Sequence, residues 1–488
     1  MKRRALISVT DKGGITDLAR ALQQSNYEVI ATSGTVQTLR AAGIDAIEIS
    51  EVTGVGELVG GRVKTLHPTI FAGILATGKE RESAEIIPID IVVANLYRFE
   101  ANSGSSDKEA MDVEHIDIGG VSLIRAAAKN FEDVTLLTSP SQYQSLIDAL
   151  PTGFDVSERR ELAGVGFALT ARYDIEIARA FAARTGQGSL RYGENPHQSG
   201  LLISDGTGIA GAKNRSNRNA KALSYNNYLD ADAAWQAVAD QGGESACIAI
   251  VKHSNPCGIA KATTPRAAFR KALECDPVSS YGGVVASNQR IDLDLANDLS
   301  EIFLEVIVAP SFTDDAIAQL QKKENLRIIE VSDDRASSTG AFISGGILIQ
   351  ERDLILSESS EDWDLVCGEA VSESLMQDLL FAWRAVRSVK SNAIVIAKDE
   401  ATIGIGMGQV SRVDAARLAV TRGSDCVKGA VAASDAFFPF ADGAIELAEA
   451  GVVAIVQPGG SKRDSEVIEA ISAAGISMYF THRRHFSH

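Results

Sequence analysis

Long apolar runs are missing from this chain. No stretch approaches the roughly 20 consecutive apolar residues that span a bilayer, and the basic start MKRRALISVTDKGG carries too short an apolar run for a signal peptide. Cysteine is scarce and scattered: Cys247, Cys257, Cys275, Cys367 and Cys426 include no C-x-x-C pair, which argues against a disulfide framework and for free thiols in a reducing compartment. Positive charge is in deficit. The formal net charge of −17 counts against a nucleic-acid partner, which calls for a basic surface, although a local cluster of Lys and Arg can still hold a phosphate. No G-x-x-x-x-G-K-[ST] motif occurs, so a P-loop is excluded. A cytoplasmic protein with neither membrane nor nucleic-acid partner is expected.

What is present suits an α/β enzyme. A chain of 488 residues exceeds one ordinary domain, and two or three are expected. Apolar residues at 45% fill full cores, and 42 glycines suit many tight strand–helix turns. In the first half ALISVT, YEVIATS, DAIEIS, IDIVVANLY and VTLLTS read as strands. They alternate with the helical patterns ITDLARALQQS, TVQTLRAAG, GGVSLIRAAAKN and SQYQSLIDAL. Such alternation implies a parallel, doubly wound sheet with ligands at the carboxyl ends of its strands. TDKGG (10–14), TSGT (32–35) and NLYRF (95–99) fall there. A long helical stretch follows, then the Gly-rich GQGSLRYGENPHQSG (186–200), where the domain boundary is placed, giving domains 1–190 and 191–488. The second half is again α/β, with strands in ACIAIVKH, GGVVAS, NAIVIAK and GVVAIVQP. Helices are predicted in DAAWQAVADQ, PRAAFRKALE, the segment 361–372 and SEVIEAISAAG. No low-complexity segment or short-period repeat is visible.

Several motifs fail on context. GTGIAG (206–211) matches G-x-G-x-x-G but runs into a segment without an apolar helical face, so it reads as a loop rather than a dinucleotide site; GIGMG (404–408) fails likewise. His253 and Pro256-Cys257 invite a zinc deaminase, yet no second Cys follows at the required spacing and none of the seven His sits in H-x-E. Two clusters remain. GGRVKTLHP (60–68) gathers Arg62, Lys64 and His67, and alternation puts Arg62 and Lys64 on one side of an extended segment. Asp117 precedes Gly119-Gly120 and a helix start whose amides favour anions, although Asp117 could simply cap that helix; Lys129 falls at the helix's far end. The second cluster is VKHSNPCG (251–258). Its Lys252-His253 pair ends a buried strand, and Asn255-Pro256 is expected to stop that strand and supply a bend that turns both side chains to one ligand.

Taken in order, SVTDKGG, TSGT, GGRVKTLHP, NLYRF, IDIGGVSLIRAAAKN, LRYGENPHQ, LSYNN, KHSNPCG, DPVSSYGG, SNAIVIAKD, GIGMGQVSR, SDAFFPF and HRRHF cover nearly the whole chain. It resembles the bifunctional purine-biosynthesis family that joins aminoimidazole carboxamide ribonucleotide (AICAR) formyltransferase to inosine monophosphate (IMP) cyclohydrolase. The resemblance implies a methylglyoxal-synthase-like N-terminal domain and two cytidine-deaminase-like α/β subdomains after it, without the zinc. It implies formyl transfer from 10-formyltetrahydrofolate to the 5-amino group of AICAR, then dehydrative ring closure to IMP, with no metal and no redox cofactor. Cyclohydrolase residues would be Lys64, Tyr97, Asp117 and Lys129, with Thr10, Lys12, Ser33, Gly34, Thr35, Arg62 and Thr65 lining the nucleotide. Transferase residues would be Lys252, His253 and Asn392; Arg191, Tyr192, Gly282 and Arg412 match nucleotide-binding positions, and Phe438 and the Pro458-Gly459 region lie near where folate binds in the family. A homodimer that builds the transferase site across its interface is implied as well.

The chemistry agrees. The 5-amino group is a poor nucleophile, so transfer needs a base and a stabilised tetrahedral oxyanion. His253 is expected to take the amine's proton, Lys252 to steady the formyl oxygen and Asn392 to add a hydrogen bond. Ring closure gains most from a near-attack conformer, with Lys64, Lys129 and amides near Asp117 as donors. Two departures from the family pattern stand out: Arg98 replaces a proline beside Tyr97, and Ala393 replaces a serine after Asn392. The segment 101–112 reads as a flexible, acidic loop. The rival readings are a zinc-dependent nucleotide deaminase, separable by metal analysis, and a non-catalytic nucleotide-binding regulator, which would not need the paired base and oxyanion donors.

Overall fold

The computed structural model describes residues 3–488 apart from 57, 62, 84, 98, 100–112, 186–187, 205, 333–337, 345 and 355–358. Arg62, Arg98 and the segment 101–112 therefore lie outside the described residues. The chain divides into two compact units, Met1–Gln187 and Gly188–His488.

The first unit runs β1 (Arg3–Ser8), α1 (Ile15–Gln24), β2 (Tyr27–Ala31), α2 (Ser33–Ala41), β3 (Ile47–Glu48), α3 (Ile49–Thr53) and α4 (Pro68–Leu75). It continues through β4 (Ile91–Ala94), α5 (Gly119–Lys129), β5 (Thr135–Leu137), α6 (Tyr143–Ala149) and α7 (Val156–Thr185). Its sheet has the order β3-β2-β1-β4-β5 and every pair is parallel. The side-chain period of two sorts the strands onto two cores. Ala5 and Ile7 of β1 pack with Leu18, Leu22, Leu39 and Tyr143, while Leu6 packs with Ile70, Leu123 and Ile124 on the other face. Each fully buried Leu or Ile contributes about 1.5–3 kcal/mol. DAIEIS forms only a two-residue strand: Glu51 reaches back to accept from the Glu48 amide at 3.2 Å, which turns the chain into α3.

The second unit is a duplication, in line with the two like subdomains expected from the family resemblance. Its first half is β6 (Lys213–Asn214), α8 (Tyr225–Gln241), β7 (Ala246–Lys252), β8 (Asn255–Ala262), α9 (Pro265–Cys275), β9 (Gly283–Ser287), α10 (Leu293–Glu301), β10 (Leu304–Ala309), α11 (Asp314–Leu320) and β11 (Arg327–Glu330). A separate hairpin, β12 (Ser338–Ile343) with β13 (Gly346–Glu351), follows. The second half repeats the first element for element: β14 (Asp364–Cys367), α12 (Glu373–Val386), β15 (Ile394–Lys398), β16 (Ala401–Gly406), α13 (Arg412–Gly423), β17 (Val431–Ser434), α14 (Asp442–Glu449), β18 (Ala454–Gln457), α15 (Asp464–Ala473) and β19 (Ser477–Phe480). One sheet joins them in the palindromic order β14-β19-β18-β17-β15-β16-β8-β7-β9-β10-β11-β6. The halves meet at its centre, where β16 and β8 pair antiparallel through Ala401 and Ala260. Helices α8 and α12 share one core on one face; α9–α11 and α13–α15 cover the other.

Two sequence expectations are corrected here. The segment 361–372 is not a helix. Asp364–Cys367 is an edge strand antiparallel to β19, with Leu365 half-exposed and Val366 against the core, so its short apolar run serves a pleated surface. Nor does Asn255-Pro256 end the hairpin strand. The chain reverses one step earlier, at His253-Ser254, and Asn255 pairs with Lys252 at the start of β8. Pro256 lies opposite Val251 at a register irregularity, where a strand tolerates a residue without an N–H.

Glycines set the closeness of helix to hairpin in both halves. A Cβ on Gly258 would lie 1.9 Å from the Ala272 carbonyl oxygen of α9, and one on Gly404 would lie 2.1 Å from the Ala419 carbonyl oxygen of α13. Gly258→Ala and Gly404→Ala should each cost about 1–3 kcal/mol. By contrast, Gly164→Ala, in open space inside α7, should be neutral or stabilising by up to about 1 kcal/mol. Urea midpoints of the three variants check this; a neutral Gly258→Ala would contradict the packing.

Candidate active site

In the first unit the loops beyond the carboxyl ends of β1, β2 and β4 are stitched together where the strand order reverses, the usual ligand position of an open α/β sheet. Asn95, just after β4, accepts from the amides of Thr10 at 2.6 Å and Asp11 at 3.1 Å, and its Nδ2 donates back to the Asp11 carbonyl at 2.9 Å. Lys12 Nζ donates to the Gly34 carbonyl at 2.9 Å. Ser33 and Gly34 open α2, so their amides point at the same region. Thr35 is buried, with its hydroxyl on the Val9 carbonyl at 3.4 Å; it braces the loop.

Asp117 joins this cluster through the backbone. Its Oδ1 accepts from the Gly120 amide at 2.6 Å, and the Tyr97 amide also donates to its carboxylate. The Tyr173 hydroxyl lies 2.8 Å from the Asp117 amide and donates to the His115 carbonyl. Gly119-Gly120 is required here: a Cβ on Gly120 would lie 2.7 Å from the Asp117 carboxylate, and one on Gly119 would lie 2.8 Å from the hydroxyl of buried Thr65. Thus Thr65, next to Lys64 in the chain, Tyr97 and Asp117 come together at the start of α5. Burial pushes the Asp117 carboxyl above the ordinary carboxylate value, against the two amides that lower it. His67 is committed elsewhere: its Nδ1 accepts from the Thr69 amide as the cap of α4.

Lys129 is not part of the cluster. It is the last residue of α5 and exposed, and at 1.5 Å per residue it stands about 15 Å along the axis from the helix start. Lys129 thus stands apart from Asp117 along α5, where its charge suits the helix C-terminus.

In the second unit the Lys252-His253 turn and the Asn392 segment are brought together. Asn255 Oδ1 accepts from the Lys390 amide at 3.1 Å, while its Nδ2 donates to the His253 carbonyl at 3.2 Å. Lys252 Nζ donates to the Tyr281 carbonyl at 2.7 Å, about 4.0 Å from where a Gly282 Cβ would stand. Gly282 has φ 77°, a conformation that favours glycine. Asn392 is held at both ends of its amide: Oδ1 accepts from Arg412 at 2.7 Å and Nδ2 donates to the Gln409 carbonyl at 3.0 Å, which leaves its second N–H for a ligand. Asp435, fully buried, accepts from Ser391 Oγ at 2.6 Å and the Ala393 amide at 3.1 Å and pairs with Arg412. The tail adds a clamp, with the Ser487 amide donating to Ser391 Oγ at 3.0 Å and the Ser391 amide to the Ser487 carbonyl at 2.9 Å.

Three of the expected binding residues, Arg412, Phe438 and Pro458, are buried. Arg412 is 6% exposed, and its guanidinium bonds Asp435, Ser434, the Ala393 carbonyl and Asn392, so it organises Asn392 from beneath. The Phe438 ring is fully buried and Pro458 is buried, whereas Phe437 and Phe440 are exposed, with Arg463 over the Phe440 ring at 4.8 Å. The open face is thus presented by the neighbours of Phe438. Gly459 has φ 69° and stands against the Phe480 ring, which a Cβ would meet at 2.4 Å. Arg191 is exposed and lies over the Tyr192 ring at 4.8 Å. The same segment is tied to α8, where Asn226 Nδ2 donates to the Glu194 carbonyl at 3.2 Å.

Burial pushes the thiols of Cys247, Cys257 and Cys275 up to about 12, 11 and 12, which keeps them neutral and unreactive. Among the described residues no three His, Cys, Asp or Glu side chains converge as a metal site would need. No helix among them is long and apolar enough to cross a membrane.

Comparison with known proteins decides the family. The model of the AICARFT/IMPCHase bienzyme matches residues 127–422, and that of the MGS-like domain matches residues 14–122. A bifunctional purine biosynthesis protein PurH from Corynebacterium glutamicum is 49% identical over 518 aligned residues, covering 100% of this chain and 98% of that protein. Its counterpart in strain R is 48% identical with the same coverage. The chain belongs to the AICARFT/IMPCHase bienzyme family. It is a bifunctional transferase and cyclohydrolase of purine biosynthesis. Among solved structures, the crystal structure of ForH aligns with a TM-score of 0.34 at 36% identity, covering 37% of this chain and 100% of that one.

Sequence reading of the bienzyme missed Asn95, Asn255 and Asp435, the residues that connect its loops. Each lies within or beside a quoted motif, but a polar residue at a strand end carries no signal of its partner. Asp117 yields a test of the geometry. Its carboxyl is raised in the fold, so its contribution to stability is fully present below the unfolded value and is lost as pH climbs through the folded value. Asp117→Asn cannot ionise. The melting temperature of this variant relative to the parent should therefore rise from about pH 3 to 7; a flat or falling difference would contradict burial as the dominant cause.

Proposed function

We propose that the two activities divide between the two units: the cyclohydrolase resides in the first and the formyltransferase in the second. The meeting of the Lys252-His253 turn with the Asn392 segment carries this reading. In formyl transfer the 5-amino nitrogen of AICAR attacks the formyl carbon of 10-formyltetrahydrofolate. His253 takes the proton that the amine loses and delivers it to the folate nitrogen as the carbon–nitrogen bond breaks. The tetrahedral oxyanion draws on Lys252, already pinned beside Gly282, and on the free N–H of Asn392. Arg412 acts through Asn392. No metal is needed at either step.

In ring closure the carboxamide nitrogen attacks the formyl carbon, and the formyl oxygen departs as water with one hydrogen from the carboxamide nitrogen and one from the formamide nitrogen, whose bond to the formyl carbon becomes C=N. The α5 start supplies amides, Asp117 a carboxylate to accept the carboxamide proton, and Lys64 a donor to the departing oxygen, with Tyr97 against the base. The phosphate suits the Lys12–Gly34 corner at the head of α2. The reading also takes in a homodimer. The β12–β13 hairpin, with Phe342 and Ile349 about three-quarters exposed, offers apolar surface for a second copy. The free thiols and acidic charge suit the cytoplasm.

The test is a pair of activities on single variants. His253→Ala should lower the formyl-transfer kcat about 10²–10⁴-fold, or roughly 3–5 kcal/mol, and leave cyclohydrolase intact. Lys64→Ala should do the reverse, and Lys129→Ala should leave both within a few-fold. Steady-state kinetics on AICAR with formyl-folate and on formyl-AICAR measure all three. A His253→Ala protein with parental transferase kcat would contradict the assignment.

A further inference from the structure

The His253-Ser254 turn is held in a conformation its residues do not favour. Both have positive φ, 53° and 57°, as a two-residue hairpin connection requires, and such turns favour Asn-Gly or Asp-Gly. A non-glycine residue costs about 1–2 kcal/mol in the left-handed region. The compensation comes from one carboxylate: Asp230 on α8 accepts the Ser254 amide on Oδ1 at 2.6 Å and the His253 amide on Oδ2 at 3.2 Å. Asn226, one helical turn earlier and on the same face, ties α8 to the Glu194 carbonyl.

The duplicated half repeats this device without the imidazole. Its hairpin turns at Asp399-Glu400, with φ 53° and 52°. Asp378 on α12 accepts from the Asp399 amide at 3.0 Å and the Glu400 amide at 2.6 Å. Lys398 Nζ donates to the Lys428 carbonyl beside Gly429, φ 75°, as Lys252 does to Tyr281 beside Gly282. The frame of helix carboxylate, left-handed turn, strand-end lysine and glycine is thus separable from the chemistry. The turn side chains differ, His253-Ser254 in one half and Asp399-Glu400 in the other, and only the first half places an imidazole there.

We infer that Asp230 is a positioning residue for formyl transfer: by gripping both turn amides it fixes the direction of the His253 imidazole. This rests on His253 acting in that step, as proposed above. A carboxylate that only stabilised the hairpin would affect folding and not the split between kcat and KM. A misplacement of the base by an ångström costs on the order of 10²-fold in rate.

The experiment uses the full chain. Asp230→Asn should lower the formyl-transfer kcat about ten- to hundred-fold with the KM for AICAR within about three-fold and cyclohydrolase unchanged. Where the Asn variant does not fold, Asp230→Glu takes its place. Adding Ser254→Gly, which adopts positive φ without steric cost, should restore kcat to within about five-fold of the parent. Asp378→Asn, the same change on the other frame, should leave transferase kcat unaffected. The inference is overturned if His253→Ala loses activity while Asp230→Asn keeps its kcat, or if Ser254→Gly restores nothing. If His253→Ala keeps its transferase activity, the assignment of the site falls and this inference falls with it.

Discussion

A carboxylate projected from a helix onto the two amides of a hairpin tip is the interaction on which the second unit depends. It occurs twice, at Asp230 over His253-Ser254 and at Asp378 over Asp399-Glu400. Each hairpin is the innermost pair of its half of the sheet, and each packs against the following helix through a glycine with no room for a side chain. Once the tips are fixed, Lys252 has one carbonyl to meet and Asn255 can bridge to the Asn392 segment. The two halves then contribute different parts to one site, a base and a lysine from the first and an amide from the second.

The first unit solves a similar problem with a side-chain amide. Asn95 stands where the strand order reverses and ties the loop after β1 to the loop after β4. The Gly119-Gly120 pair lets Asp117 fold back over the head of α5. Burial of this carboxyl opposes its ionisation, a cost in stability of the kind that catalytic sites accept.

Much of the fold was legible because hydrophobic period and strand–helix alternation are local signals. The five-stranded parallel sheet, the loops at its carboxyl edge and the strand ending in Lys252-His253 all follow from them. The failures have equally local causes. Pro256 reads as a strand breaker, but a register irregularity opposite Val251 accommodates it. The run around Leu365 and Val366 is too short for periodicity to tell edge strand from helix. Phe438 lies between exposed Phe437 and Phe440, and its direction depends on a loop rather than a period. The two like subdomains followed from the family resemblance and not from a visible repeat, because the halves share backbone requirements, at Asp230 and Asp378, Gly258 and Gly404, Gly282 and Gly429, rather than a run of similar residues.

Residue-resolved amide hydrogen exchange on the native protein tests the carboxylate grip most directly. The amides of His253, Ser254, Asp399 and Glu400 lie at hairpin tips, where amides ordinarily exchange near their intrinsic rates. The account predicts that all four are protected by at least about a hundred-fold, in the range of the flanking strands, since each is bonded to a carboxylate on a packed helix. Exchange of His253 and Ser254 near the intrinsic rate, with β7 and β8 protected, would contradict it.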